Sequence, residues 1–407
     1  MRDDDFSQVN RRDFIQTGAA AIAAAATLAR CSSGSAAQDP APTPKVLPRR
    51  PLGKTGVDVT ILTQGTWRSP DSLDRLLRLG YASGVRYVDT AKSYGSEPGV
   101  AKWLEGMPAG TRKNIFLVTK DSPKTPKDLI AQLDQRCANL KTDYIDLFFI
   151  HGIGGKDKLD WPKSKELKET ITAIKKSGKA KFVGFSCHDA LKAEFLMAAA
   201  EGGLVDAIMV AYTPWLAKDA PLNRALDACH KKGIGLISMK QISGNMDPIL
   251  KEVPKHVPTL AERGLSPYQG LLHAIWTDER ISSCCVSMRN TDQLRENTKA
   301  ADVFEPLKAA EMKQLHNALL AAGPTFCANC DGSCSRAAGT EAELGDLTRL
   351  LTYHDHYGFR GEARQIYSEL TAKARDWAGA DLVAAREACP NRLDFAKLLP
   401  KVDRDLA

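Results

Sequence analysis

"IFLVTKDSPKTPKDLIAQLDQRCANLKTDYIDLFFIH" (residues 115–151) decides the fold. Its opening run, "IFLVTK" (115–120), is apolar and β-branched and reads as a buried strand. "PKDLIAQLDQRCANL" (126–140) then sets Leu129, Leu133, Cys137 and Leu140 on one face at helical spacing. "IDLFFIH" (145–151) is a second strand of the first kind. Two buried strands joined by an amphipathic helix form a parallel unit, because parallel strands need a long crossover.

The same alternation extends in both directions. Candidate strands are "VDVTIL" (57–62), "VRYVD" (85–89), "KFVGFS" (181–186), "DAIMVAY" (206–212), "IGLISMK" (234–240) and "SSCCVSM" (282–288). Amphipathic stretches such as "DSLDRLLRLGYASG" (71–84) lie between them. Eight such units predict an α/β fold, a (β/α)8 TIM barrel. A doubly wound open sheet is the alternative. It usually carries a glycine fingerprint after its first strand, and none is present.

The 407 residues are 43% hydrophobic and 26% charged, enough apolar material for a large core. A net charge of +7, without long charged blocks, does not mark a nucleic-acid or membrane binder. What stands out is how the strands end: Asp89, Lys120, His151, Ser186 and Lys240 are all polar. In a barrel those ends share one face, so together they suggest a polar pocket. "GVRYVDTAKSYG" (84–95) adds Tyr94 on a loop. A phenol of pKa about 10 exchanges protons poorly near neutrality. A neighbouring ammonium would lower that value, and a buried carboxylate would hold the ammonium in place. The group suits reversible protonation of a carbonyl or alcohol oxygen, with the redox chemistry left to a cofactor.

These residues resemble the aldo/keto reductase family, whose pattern is matched here by "DTAKSYG", "LVTK" and "LFFIH" in order. The resemblance covers roughly 47–322 and includes "LPRRPLGKTGVDVTILTQGTW" (47–67) as opening hairpin and first strand. It implies Tyr94 as general acid/base, Lys120 as its pKa modulator, Asp89 as partner of Lys120, and His151 as orienter of the carbonyl oxygen. It further implies hydride transfer between NADP(H) and a small carbonyl or alcohol, a sugar among the candidates. The cofactor positions it implies are Thr66 and Trp67; Ser186 and Tyr212; and Lys240, Ser243 and Gly244 in "ISMKQISGN" (237–245). In "SMRNTDQLREN" (287–297) they are Ser287, Arg289, Gln293 and Asn297, with Arg289 suited to a phosphate. Two positions depart from the family: Cys187 replaces its Asn and Met209 its Gln. Neither can make the same hydrogen bonds. They sustain an alternative, a non-catalytic ligand-binding or iron–sulfur electron-transfer protein on a retired barrel.

The two ends read differently. "NRRDFI" (10–15), followed by the Ala-rich "TGAAAIAAAATLA", resembles a Tat export signal. Cleavage after Ala37 would leave residues 38–46 as a linker, and the expectation is export to the periplasm. A lipid anchor on Cys31 is the rival, against which stands the preceding Arg30. Residues 323–407 form a helical, Cys-bearing extension in which "LGDLTRLLTYHDHYG" and "EARQIYSELTAKARDW" pack against the barrel. "FCANCDGSC" supplies Cys327, Cys330 and Cys334, and "ACPNRLDF" supplies Cys389. The Cys-Pro pair after short-spaced cysteines resembles a ferredoxin pattern, with ligands for one [4Fe–4S] cluster. Disulfides, free thiols, or zinc held by cysteines alone or with His354 or His356 are the alternatives. A redox partner for such a tail is a further expectation.

Overall fold

The computed structural model describes residues 45–69, 72–155, 157–240, 257–322, 327, 330, 332–355 and 358–407. A short antiparallel hairpin, β1 (Arg49–Pro51) and β2 (Asp58–Thr60), precedes the barrel. Eight parallel strands then close on themselves: β3 (Leu62–Gly65), β4 (Tyr87–Asp89), β5 (Phe116–Asp121), β6 (Ile145–Ile150), β7 (Ala180–Cys187), β8 (Ala207–Ala211), β9 (Gly235–Met239) and β10 (Ile281–Ser287). Each neighbour pair is parallel, and β10 returns to β3. The (β/α)8 barrel is therefore the fold.

Strand alternation builds two cores. Phe148, Phe185, Ile208 and Leu236 face outward and pack with helix residues such as Leu133, Leu140 and Leu196. Tyr87, Val118, Leu147, Phe149, Met209 and Ile237 form the second, inner cluster. The hairpin joins that inner cluster through Leu52, whose side chain lies 2.4 Å from where a Cβ on Gly235 would stand. Glycine is required there because any side chain would unseat Leu52. The hairpin also changes the reading of "VDVTIL": residues 58–60 pair with 49–51, and the first barrel strand begins only at Leu62. Both segments are apolar and extended, so period alone could not divide them.

The extension is helical, with Leu344–Asp355, Arg360–Glu369 and Phe395–Leu406 its longest elements. They enclose a separate core that includes Leu347, Leu351, Tyr367, Leu399 and Val402. The continuous helix suggested by "EARQIYSELTAKARDW" is broken, because Thr371 accepts from the Ala374 amide and starts a new turn. Among the described residues, no helix is long and apolar enough to cross a membrane.

Candidate active site

Tyr87, Val118 and Phe149 belong to the inner layer, and Asp89, Lys120 and His151 each follow two residues later. Period two therefore carries all three toward the same side of the wall. A single turn, Lys92–Tyr94, brings Tyr94 over them. Lys120 Nζ lies 2.6 Å from Asp89 Oδ1 and donates to the Thr90 carbonyl at 2.9 Å. The ammonium is also 5.0 Å from the centre of the Tyr94 ring. Tyr94 and His151 meet edge to face, their ring centres 5.5 Å apart. Ser93 Oγ lies 3.4 Å from His151 Nδ1.

The electrostatics differ from expectation in one respect. Burial pushes the Tyr94 phenol up to about 12, although Lys120 pulls it down. Lys120 acts on the phenol through its charge and a hydrogen bond, yet burial and the charge of Asp89 outweigh it. Burial also pulls Lys120 down, but Asp89 and Tyr94 outweigh it and raise its pKa. Asp89 is raised too, by burial against the pull of Lys120. The two directions compete for one proton, and the 2.6 Å contact favours the charged pair. Tyr94 is thus a protonated phenol at neutral pH, the form that can donate.

One cavity of about 540 Å³ gathers Asp89, Tyr94, Lys120 and His151 with Trp67, Ser186, Lys240, Ser287, Arg289, Gln293 and Asn297. Thr66 and Tyr212 do not line it. Thr66 Oγ1 donates to the Asp89 carbonyl and meets Ser96 Oγ, while Tyr212 Oη donates to Asp278 at 2.7 Å. Both hydroxyls have partners within the fold. Ser243 and Gly244 lie outside the described residues.

Arg289 stands just before the helix Thr291–Asp302, which Asn290 caps through the Gln293 amide. A cation beside a helix N-terminus suits a phosphate, so this end of the cavity fits the charged part of a dinucleotide. Met209 lines the cavity, whereas the Cys187 thiol is fully buried and pushed up to about 12 by that burial.

Several lining residues escaped the sequence reading. Met239 and Cys285 could have been found, since each lies on the same alternation as its strand's inner residues. Cys285 acts electrostatically on Asp89, Tyr94 and Lys120. The extension contributes Arg349, Tyr353, Phe359, Glu362 and Ile366. Phe359 meets Trp67 edge to face at 6.1 Å, and Arg68 lies over its ring and pairs with Glu362.

The four tail cysteines approach one another. Cys327, Cys334 and Cys389 are buried, and none of the described cysteines is disulfide-bonded. A Cβ on Gly345 would stand 3.6 Å from the sulfur of Cys327 and 3.9 Å from that of Cys334. Burial raises Cys334 to about 12, helped by Cys330 and Cys389. His356 lies outside the described residues, and His354 groups with Asp355 and Asp405 instead.

The description "Aldo/keto reductase family" belongs to the family model that matches residues 61–319. Residues 8–28 match the TAT (twin-arginine translocation) pathway signal sequence. The chain is 24% identical over 290 residues to aldo-keto reductase family 1 member A1 of Mus musculus, covering 64% of this chain and 86% of that protein. It is 24% identical over 330 residues to L-glyceraldehyde 3-phosphate reductase of Escherichia coli O157:H7, covering 65% and 91%. A solved aldo-keto reductase from Bacillus halodurans superposes with a TM-score of 0.53 at 19% identity, covering 67% of this chain and 96% of that one.

Proposed function

From the premise that this chain belongs to the aldo/keto reductase family, we propose that it transfers hydride between NADP(H) and a small carbonyl or alcohol. The observation that carries this reading is the meeting of Tyr94, Lys120, Asp89 and His151 at one cavity. Tyr94 donates its proton to the carbonyl oxygen as that oxygen gains charge, and takes it back in the reverse direction. His151 orients the oxygen, and Lys120, held by Asp89, stabilises the phenolate left behind. When bound, the nicotinamide supplies or accepts the hydride. Arg289, Ser287, Gln293 and Asn297 would hold the phosphate-bearing end.

The same reading assigns residues 47–322 to the reductase and 1–37 to the export signal, followed by a linker over 38–46. Export places the enzyme in the periplasm. For the extension, 323–407, it assigns one [4Fe–4S] cluster to Cys327, Cys330, Cys334 and Cys389, serving a redox partner. Among the described residues, only His354, Asp355 and Asp405 bring three ligand atoms within 4.8 Å of one another.

The test is NADPH oxidation by anaerobically purified protein with a panel of aldehydes. Tyr94→Phe should lower kcat by about 10²–10⁴-fold while nucleotide still binds. Equal turnover in the two proteins removes Tyr94 from the chemistry. Nucleotide binding without turnover on any carbonyl favours the non-catalytic alternative.

A further inference from the structure

The extension does more than cover the cavity. Its helix Leu344–Asp355 carries Arg349 and Tyr353 to the cavity wall, where Lys240 and His188 come from the barrel. Arg349 Nη1 donates to Tyr353 Oη at 3.0 Å, and Lys240 hydrogen-bonds the same phenol. Arg349 is fixed in turn by Asp346, which accepts from Nε at 3.1 Å and Nη2 at 2.8 Å. Two cations, Arg349 and Lys240, thus converge on Tyr353 with His188 beside them, while Asp346, with Glu343 next to it, faces Arg349. Lys240 keeps a left-handed backbone, φ +55°, which non-glycine residues seldom adopt. The wall adjoins the reacting end of the cavity: His151, His188 and Lys240 line it together, and a Cβ on Gly152, next to His151, would stand 4.0 Å from His188 Nε2.

We infer that Lys240 and Tyr353 form a carboxylate subsite, so that the preferred substrate is a carbonyl compound bearing a carboxylate at its far end. This inference rests on the proposed reductase reading, in which Tyr94 and His151 receive the carbonyl oxygen. Lys240 supplies the charge, and Tyr353 supplies a hydrogen bond strengthened by its cationic neighbours. Arg349 is a positioning residue, since its guanidinium is bound to Asp346 and Tyr353. In the proposed reading Arg289, Gln293 and Asn297 serve the nucleotide, and Lys240 is assigned here to the substrate.

The test compares 4-carboxybenzaldehyde with benzaldehyde, which differ by the carboxylate alone. Wild type should favour the acid in kcat/KM. Lys240→Met and Tyr353→Phe should each lower that preference by about tenfold, chiefly through KM. Lys240→Arg should retain most of it. Calorimetric titration with 4-carboxybenzyl alcohol and benzyl alcohol reads the same preference without turnover. Preferential binding of the acid that Lys240→Met abolishes supports the subsite even in a protein that reduces neither aldehyde, which would break the reductase reading alone. Equal binding of both alcohols by wild type overturns the subsite. So does an unchanged preference in folded Lys240→Met and Tyr353→Phe, including the case where only NADPH affinity falls.

Discussion

Two tyrosines face the same cavity beside buried cations, yet they are driven in opposite directions. Tyr94 rises to about 12, and Tyr353 falls to about 8. Burial raises both phenols. The difference lies in how many cations act on each phenol. At Tyr94 the single ammonium of Lys120 is bound to Asp89 at 2.6 Å. At Tyr353 two cations, Lys240 and Arg349, act together, and both contact the phenol. A cation near a tyrosine therefore does not by itself make the phenol acidic. The local balance of charges decides.

Breaking the first pair should have the largest effect. Lys120→Met leaves Asp89 buried without its partner, and such losses typically destabilise by about 3–5 kcal/mol. Urea denaturation should show that loss together with loss of reductase activity. The double variant Lys120→Met/Asp89→Leu should recover much of the stability and none of the activity. Full activity in the single variant would dissolve the contrast at its catalytic end.

The two phenols can also be separated by titration. Ultraviolet absorbance of folded protein should show a tyrosine ionising near pH 8, and Tyr353→Phe should remove that step. Tyr94→Phe should leave it in place, because Tyr94 remains neutral until about 12. A step near pH 8 that survives Tyr353→Phe would assign it to another group.

The smallest effect concerns the carboxylates beneath Arg349. Glu343 is raised from an ordinary 4.5 to about 7, first by burial and then by Asp346, while Asp346 is held at about 2, burial being outweighed by Arg349. The raised Glu343 contributes stability below about 4.5 that is lost as pH rises through about 7. The depressed Asp346 contributes above 3.8 and is lost as pH falls toward about 2. Melting temperature should therefore decline between pH 5 and 8 by the equivalent of about 1–2 kcal/mol, solvent screening included. Glu343→Gln should flatten that slope, and an identical slope in the variant would remove Glu343 as its cause.

The polar face where Asp89, Lys120 and His151 meet was legible because it follows local rules. Asp89, Lys120 and His151 stand at polar ends of apolar strands, and alternation fixes the direction in which each points. The same rule would have indicated Met239 and Cys285. Tyr212 shows what it leaves out: chain position places a residue near the barrel's end, but Asp278, 66 residues away, determines where the Tyr212 hydroxyl goes. The wall made by Arg349, Tyr353 and Phe359 was not legible for a related reason. Its helix carries apolar residues for a core of its own, and nothing local records which barrel residues its polar face meets.

That wall has a consequence for biosynthesis. Trp67, Arg68 and Lys240 leave the ribosome well before Tyr353, Phe359 and Glu362, with which they close the cavity. The barrel strands are complete at Ser287, but the chamber they open into is walled only when the helices Leu344–Asp355 and Arg360–Glu369 dock. A nascent chain halted before Leu344 would carry every member of the Tyr94 group in an unwalled mouth. Synthesis of the helices that carry Tyr353 and Glu362, rather than completion of the barrel, is the event that walls the cavity.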